Sequence, residues 1–222
     1  HHDAVLTAEE GVYSSGPGEV YFFGNAAFED SLRRLFADTL IYYENRHEAV
    51  AIGSVRVFEG DRSLTADRVL YRKDIRHIRA EGNVTVRDDS THSTITGAMA
   101  DFNDSTGYGF IVGSPFLEKI DDDGSMMTVT CSDTLEILKN ERIIRLWNDI
   151  VAVMDSITLT CSDTLFIDDT AKVVTLWKNV VAKQDSLTSS SGHARYIDSE
   201  NLLILSDRPA IRYAIDDTRS DA

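Results

Sequence analysis

An acidic residue recurs along this chain at nearly constant spacing, and this repeat limits the available folds more than any other feature. Successive acidic anchors lie 29 to 34 residues apart, and a second anchor follows each by 15 residues, or by 12 in one unit. A period of this length is typical of stacked repeat architectures, and seven units fit it. The first anchors are Glu9, Asp38, Asp67, Asp101, Asp133 and Asp163, continued at His193; the second are Gly24, Gly53, Gly82, Gly113, Asn148, Lys178 and Arg208.

Each unit carries two strand patterns. Residues two and four positions after the acidic anchor are mostly apolar, as at Val69 and Tyr71, and a small residue such as Ala66 precedes the anchor. In the second segment, apolar and polar residues alternate with period two around the glycine. This pattern indicates a strand with one apolar, buried face and a bend or bulge at the glycine. Two strands in each of seven units predict an all-β fold of about fourteen antiparallel strands.

The chain is expected to form one domain. His1 and His2 are interpreted as a tag remnant, and residues 3–222 as a single β domain with an irregular corner near 101–126. The sequence contains no signal peptide and no apolar run of about 18 residues that would span a bilayer. We expect residues upstream to have been removed by processing or cloning.

The composition argues against polyanionic partners. The 222 residues include 22 Lys and Arg against 37 Asp and Glu, a formal charge of -15. Phosphates of nucleic acid or of an anionic membrane surface would be repelled.

No catalytic or metal-binding signature interrupts the repeat. The regular acidic anchors are interpreted as acceptors of backbone hydrogen bonds at strand corners, because catalysis needs one asymmetric cluster. The segment Asp121–Gly124 lacks the spacing of a calcium loop. We therefore expect no enzyme activity, no cofactor and no metal. Cys131 and Cys161 occupy matching places in neighbouring units and would bridge only if their strands paired directly.

The repeated segments resemble a known family. The chain resembles the OstA-like domain of periplasmic lipopolysaccharide-transport proteins. The segments that carry this resemblance are "LFADTLIYYENRHEAVAIGSVRV", "AEGNVTV" and "GYGFIVGSP". These are the LptA-type bridge protein, the LptC-type anchored protein and the N-terminal part of the LptD-type translocon. The resemblance is strongest from Leu32 to Pro115 and weakens from Met126, where "LWNDIVA" and "LWKNVVA" replace the Gly-Asn-Val corner.

The resemblance implies a fold and a function. The fold would be an elongated, twisted β-jellyroll, located in the periplasm, that shields lipid A acyl chains in an apolar groove. End strands would pair with other OstA-like domains or with copies of this chain. The expected groove residues are Phe22, Phe28, Leu40, Tyr42, Val55, Val57, Val69, Tyr71, Ile78, Val84 and Val86, and possible head-group contacts are Arg72, Lys73 and Arg76.

Two alternatives stay open at this stage. Inward alanines and valines suit either a groove that admits a guest or a closed roll, and the closed roll would be a structural β-repeat scaffold that self-assembles without lipid.

Trp147 and Trp177, at matching positions, are expected on the outer face, where they would stabilise cross-strand contacts or form a docking surface.

Overall fold

The alternating segments form one antiparallel sheet of twenty strands in the computed structural model, which describes residues 5–16, 18–121 and 124–213. Two single-turn 3₁₀ segments, Glu44–Arg46 and Asp198–Glu200, lie in connections. The strands are β1 Val5–Thr7, β2 Glu10–Ser14, β3 Glu19–Glu29, β4 Arg33–Tyr43, β5 Glu48–Glu59, β6 Arg62–Arg72, β7 His77–Asp88, β8 Ser93–Asn103, β9 Tyr108–Val112, β10 Phe116–Ile120, β11 Met126–Thr130, β12 Thr134–Leu138, β13 Ile143–Trp147, β14 Ile150–Met154, β15 Ile157–Cys161, β16 Thr164–Asp168, β17 Val173–Gln184, β18 Leu187–Ile197, β19 Leu202–Ser206 and β20 Ala210–Tyr213.

The chain crosses the roll fourteen times, which confirms the predicted all-β fold of seven two-strand repeats. Eight crossings are single long strands, β3 to β8, β17 and β18. The other six are split at a corner into two short strands each, namely β1 with β2, β9 with β10, β11 with β12, β13 with β14, β15 with β16, and β19 with β20. Twenty strands therefore correspond to fourteen crossings.

The corner divides the sheet into two walls, A and B. Long strand β8 pairs in wall A with β9 and in wall B with β10, and long strand β17 likewise pairs with β16 and β15. The short strands between them pair only within their own wall, so both walls continue from β8 to β17. At the strand spacing of about 4.8 Å, fourteen crossings make a roll on the order of 60 Å long.

The corner has the same backbone in every repeat. Two consecutive residues adopt positive φ at Gly24–Asn25, and the same occurs at 53–54, 82–83, 113–114, 148–149, 178–179 and 207–208. Each pair includes a second anchor of the sequence repeat, so the predicted bend position is confirmed. In β3, β5, β7 and β17 the pairing register shifts at this point.

The first anchors lie against these corners. Asn25 Nδ2 donates to Glu9 Oε1 at 2.7 Å, and Asn83 Nδ2 donates to Asp67 Oδ2 at 2.9 Å. A Cβ at Gly53 would stand 2.1 Å from Asp38 Oδ2, so glycine is needed there for space as well as for its positive φ. Glu9, Asp67 and Asp133 are thus acceptors at corners, but their donors are Asn side-chain amides and not the expected backbone groups. Asp101 instead contacts the ring of His77.

Inward side chains form one continuous row on each wall. Cross-strand partners can be followed through all fourteen crossings, and these rows supply most of the buried core. Row A is Gly11, Phe22, Leu40, Ala51, Val69, Ala80, Ala100, Ile111, Leu135, Leu146, Leu165, Leu176, Ala194 and Leu205. Row B is Leu6, Phe28, Leu35, Val57, Leu64, Val86, Ile95, Leu117, Val129, Ala152, Leu159, Ala182, Ser189 and Ile211.

The two cysteines are too far apart in the sheet to bridge. β11 and β15 both pair with β14 and not with each other, so Cys131 and Cys161 lie two strand spacings apart, about 10 Å. Both are buried free thiols, and burial raises the pKa of Cys161 to about 11. Unprotonated, reactive thiolate is therefore scarce at neutral pH.

Candidate functional site

The interior of the roll is unevenly filled. In the open stretch, β1 to β7, the row B side chains are only half-buried against the core. In the sealed stretch, β8 to β18, Leu117, Val129 and Leu159 are fully buried on wall B, as are Leu135 and Leu146 on wall A. The half-exposed apolar surface of the open stretch, which we call the trough, is the candidate site.

Side-chain size on wall A differs between the two stretches. Row A of the open stretch includes the small residues Ala51 and Ala80, whereas the sealed stretch places leucine or isoleucine on five successive crossings, β9, β12, β13, β16 and β17. Leucine fills space that alanine leaves, and packed interiors have few voids. The open stretch has no such run of large side chains on wall A, although Ala100 and Ala194 of the sealed stretch are small as well.

All eleven residues expected in a groove face the interior. Seven of them are half-buried and border the trough: Phe22, Phe28, Tyr42, Val57, Tyr71, Ile78 and Val86. Four are buried beneath that surface: Leu40, Val55, Val69 and Val84. Only the first group presents surface to a guest, while the second supports it.

Arg33 spans the mouth of the trough. It begins β4 on wall B, and its guanidinium donates to the Tyr71 hydroxyl of wall A at 3.4 Å. The same group pairs with Asp104, in the turn after β8, at 3.4 Å, and with Glu59 of its own wall at 3.1 Å. Burial lowers the pKa of Arg33, but the hydrogen bonds that Arg33 donates to Glu59 and Tyr71 outweigh burial and raise that pKa above its ordinary value. Arg33 is thus a fixed cation that ties the two walls together over apolar side chains.

The turns at the edge of wall A stack in a row and carry basic residues. Lys73 N donates to His47 O at 3.0 Å, and Asp104 N donates to Arg76 O at 3.0 Å. The expected head-group residues Arg72, Lys73 and Arg76 lie here and are exposed. Arg72 already donates to Glu48 at 3.0 Å, which leaves Lys73 and Arg76 as the less engaged pair.

The end strands of the roll are incompletely paired. Among the described strands, β1 and β2 pair with β3 alone, and β19 and β20 pair with β18 alone. Their side chains Val5, Tyr13, Ile211 and Tyr213 are exposed. Such edges offer free backbone groups to another strand.

The outer face holds the two tryptophans, separated by Thr164. Trp147 pairs with Thr164, which pairs in turn with Trp177. The Trp177 ring contacts Phe166, with ring centroids 4.9 Å apart, and His193, with centroids 5.3 Å apart. The two tryptophans therefore lie on strands two spacings apart, with Thr164 between them.

One charged cluster was not anticipated from the sequence. Lys119, Arg142 and Lys172 all contact the carboxylate of Asp169, at 2.5, 2.8 and 3.4 Å. Lys119 and Asp169 are 50 residues apart and come from different walls. No local sequence pattern signals such a contact, because it depends on how the walls face each other.

The described part of the chain offers neither a cluster of metal-binding side chains nor a helix that could span a membrane. Residues 5–16, 18–121 and 124–213 contain no group of three or more His, Cys, Asp or Glu side chains that could hold a metal ion. No helix among the same residues is both long and apolar enough to cross a membrane. The segment Asp121–Gly124 lies partly outside the described residues.

The fold and the trough define a class: an all-β repeat roll with a half-exposed apolar interior. No family model matches the chain, and no curated protein matches it. Among solved structures, it is similar to LptH of Pseudomonas aeruginosa, described as the LptA-homologous periplasmic component of a lipopolysaccharide transport device. The identity is 15%, the match covers 82% of this chain and 94% of that chain, and the TM-score is 0.24. At so low a TM-score, the likeness adds no support for a function.

Proposed function

We propose that this protein is a non-enzymatic carrier that holds the acyl chains of lipopolysaccharide in its trough within the periplasm. The trough carries the proposal: seven inward apolar or aromatic side chains of the open stretch are half-buried, and five of them pack against the core. Each methylene taken from water gains about 0.8 kcal/mol, so a twelve-carbon chain gains on the order of 10 kcal/mol.

Lipopolysaccharide as the cargo rests on the sequence resemblance to OstA-like domains, since an apolar trough by itself does not select one lipid. The formal charge of -15 makes acyl chains, and not phosphates, the main recognised feature. Lys73 and Arg76, at the edge of wall A, are the proposed contacts for head-group phosphates, with Arg72 shared between Glu48 and the ligand.

The unpaired end strands support assembly into a longer conduit. A second OstA-like domain, or a second copy of this chain, would add its edge strand to β1 and β2 or to β19 and β20. The trough of one domain would then continue into that of the next.

Photo-crosslinking tests the cargo. A photoreactive residue at Val57, inward and half-buried, is expected to crosslink purified lipopolysaccharide, while one at the neighbouring outward position Arg56 is not. A third probe at Leu146, fully buried in the sealed stretch, controls for nonspecific labelling of unfolded protein. Equal yields at Val57 and Arg56 would reject the carrier role.

A structural scaffold that polymerises without lipid is the second candidate, and the fully packed sealed stretch favours it. This candidate predicts concentration-dependent polymers in lipid-free protein. Light scattering, with and without added lipopolysaccharide, separates the two candidates.

A further inference from the structure

The rims of the two walls face each other obliquely across the mouth of the roll. Arg33, on the third crossing in wall B, reaches Tyr71 on the fifth crossing in wall A and Asp104 in the turn after the seventh. Lys119, on the eighth crossing in wall B, reaches Asp169 in the turn after the eleventh. Both contacts advance in the same direction along the roll, as the constant hand of sheet twist requires. Each therefore crosses the mouth on a diagonal.

The Arg33 contact is a single side chain that is anchored on wall B and holds wall A loosely. Glu59 of its own wall accepts from the guanidinium at 3.1 Å. The contacts to wall A, with the Tyr71 hydroxyl and the Asp104 carboxylate, are both 3.4 Å, and the guanidinium carbon lies 5.6 Å from the centre of the Tyr71 ring. Since N–H···O bonds are usually about 2.9 Å long, the wall A contacts are the weaker ones. They are the ones that open first.

Apolar trough surface lies directly beneath this side chain. Arg33 and Glu59 are cross-strand partners, and two residues further into the roll the same strands pair Leu35 with Val57. On wall A, Tyr71 pairs with Ile78. Leu35, Val57 and Ile78 are all half-buried. The guanidinium thus lies between accessible apolar side chains and solvent.

The second diagonal contact lies over a different interior. Between Lys119 and the corner of wall B, Leu117 is fully buried, and its row continues through the equally buried Val129. Packed side chains leave no room for a guest there. Lys119 and Asp169 therefore hold together walls whose interior is already filled, whereas Arg33 crosses the mouth of a stretch whose apolar surface is accessible.

We propose that Arg33 is a strap that controls entry into the trough. An amphiphile keeps its head group in water and its chain in the trough, so the link between them runs through the mouth that Arg33 crosses. The chain enters when Arg33 releases Tyr71 and Asp104, and the strap closes again over the bound chain. The inference rests on the trough as a guest site, which is part of the proposed function, but not on which lipid is carried.

Stopped-flow fluorescence of the full chain tests the strap. The probe is a dodecyl maltoside with a fluorophore at the end of its chain, used below its micelle concentration; its head group is uncharged, so Arg33 does not attract it. Val57→Lys places a charge in the trough and is expected to weaken probe binding at least about tenfold, which locates the probe. Unchanged binding in this variant would overturn the trough as the site, and the strap with it.

Arg33→Gln is the main variant. It is expected to raise the association and dissociation rate constants together, by about tenfold, as for the loss of one hydrogen bond to a charged group, and to change Kd by less than about twofold. Arg34→Gln is the matched control, because Arg34 is the next residue, is exposed and contacts Phe58 of its own wall. Lys119→Gln, which opens the contact over the packed stretch, is the second control. Both controls are expected to leave the rate constants unchanged.

Salt and a milder variant keep the test decisive if Arg33→Gln folds poorly. Salt screens ion pairs, so raising it from about 50 to about 500 mM is expected to speed probe entry about threefold in the wild type but not in Arg33→Gln. Tyr71→Phe, which keeps the ring and removes one acceptor, is expected to speed entry about threefold.

The outcomes separate the strap from the carrier function. Equal rate constants in the wild type, Arg33→Gln and Tyr71→Phe would overturn the strap and leave the trough as a guest site. Weaker affinity with an unchanged association rate constant would also overturn it, because Arg33 would then be a direct binding contact. Rate changes as expected, without a lipopolysaccharide crosslink at Val57, would support the strap and reject lipopolysaccharide as the cargo.

Discussion

The row B side chains of the open stretch, Leu6 to Val86, are half-exposed, whereas Leu117, Val129 and Leu159 of the sealed stretch are wholly buried. The two stretches share the same repeat, the same cross-strand rows and the same corner backbone. They differ in the size of the row A side chains that face wall B. One backbone architecture therefore gives a trough in one stretch and a packed core in the other, according to a few inward residues.

The largest expected effect on the free energy of unfolding comes from truncating a core leucine in the sealed stretch. Leu146→Ala leaves a cavity in a fully buried row and is expected to lower the free energy of unfolding by about 3–4 kcal/mol. Leu64→Ala, in the half-exposed row of the open stretch, is expected to cost only about 1 kcal/mol, because its methyl groups already contact water. Urea unfolding measures both.

If Leu146→Ala and Leu64→Ala lower the free energy of unfolding equally, the open and sealed stretches do not differ in packing. Ile137→Val, a smaller change in a half-buried side chain of the sealed stretch, checks that the effect follows burial and not position along the chain.

An intermediate effect on the free energy of unfolding is expected from the contact between the walls that Lys119 makes with Asp169. Asp169→Asn leaves Lys119 and Arg142 facing each other without their carboxylate, and is expected to cost about 1–2 kcal/mol at pH 7. Asp155→Asn, in an exposed turn, is the matched control and is expected to be neutral.

The pH dependence of that effect has a defined sign. The folded-state pKa of Asp169 lies below its ordinary value of 3.8, so the stabilisation is present above about pH 4 and is lost as the pH falls further. The difference in free energy of unfolding between the wild type and Asp169→Asn is therefore expected to become smaller below pH 4. A gap that stays constant from pH 7 to pH 3 would show that the charge of Asp169 is not its source.

The smallest effect concerns the shared corner. The open stretch uses glycine at the first corner position, as does the first corner of the sealed stretch at Gly113, whereas the next two corners use Asn148 and Lys178, with φ of 62° and 69°. Lys178→Gly relieves this left-handed backbone and is expected to raise the free energy of unfolding by about 0.5 kcal/mol, measured as a shift in the urea midpoint.

Gly53→Ala, the reverse change in the open stretch, is expected to destabilise, because its Cβ would meet the Asp38 carboxylate at 2.1 Å. Destabilisation by both substitutions would mean that the two kinds of corner are not equivalent.

The sequence by itself determined the repeat, the corners and the inward faces. The spacing of acidic and glycine-like anchors predicted seven units, and each second anchor lies in a pair of positive-φ residues. Alternation placed all eleven expected groove residues on the inner face. These features are local, because strand alternation and left-handed backbone depend on a few neighbouring residues.

Only the tertiary structure decided which inward residues stay accessible and which side chains meet across the walls. Sequence reasoning treated Val55 and Val84 like Val57, yet the first two are buried beneath the trough surface. It also left open a Cys131–Cys161 bridge, which the intervening strand β14 prevents. The Lys119–Asp169 contact joins residues 50 apart. Such contacts depend on the pairing register of the strands and on how the two twisted walls face each other. No short segment of the chain determines either of these.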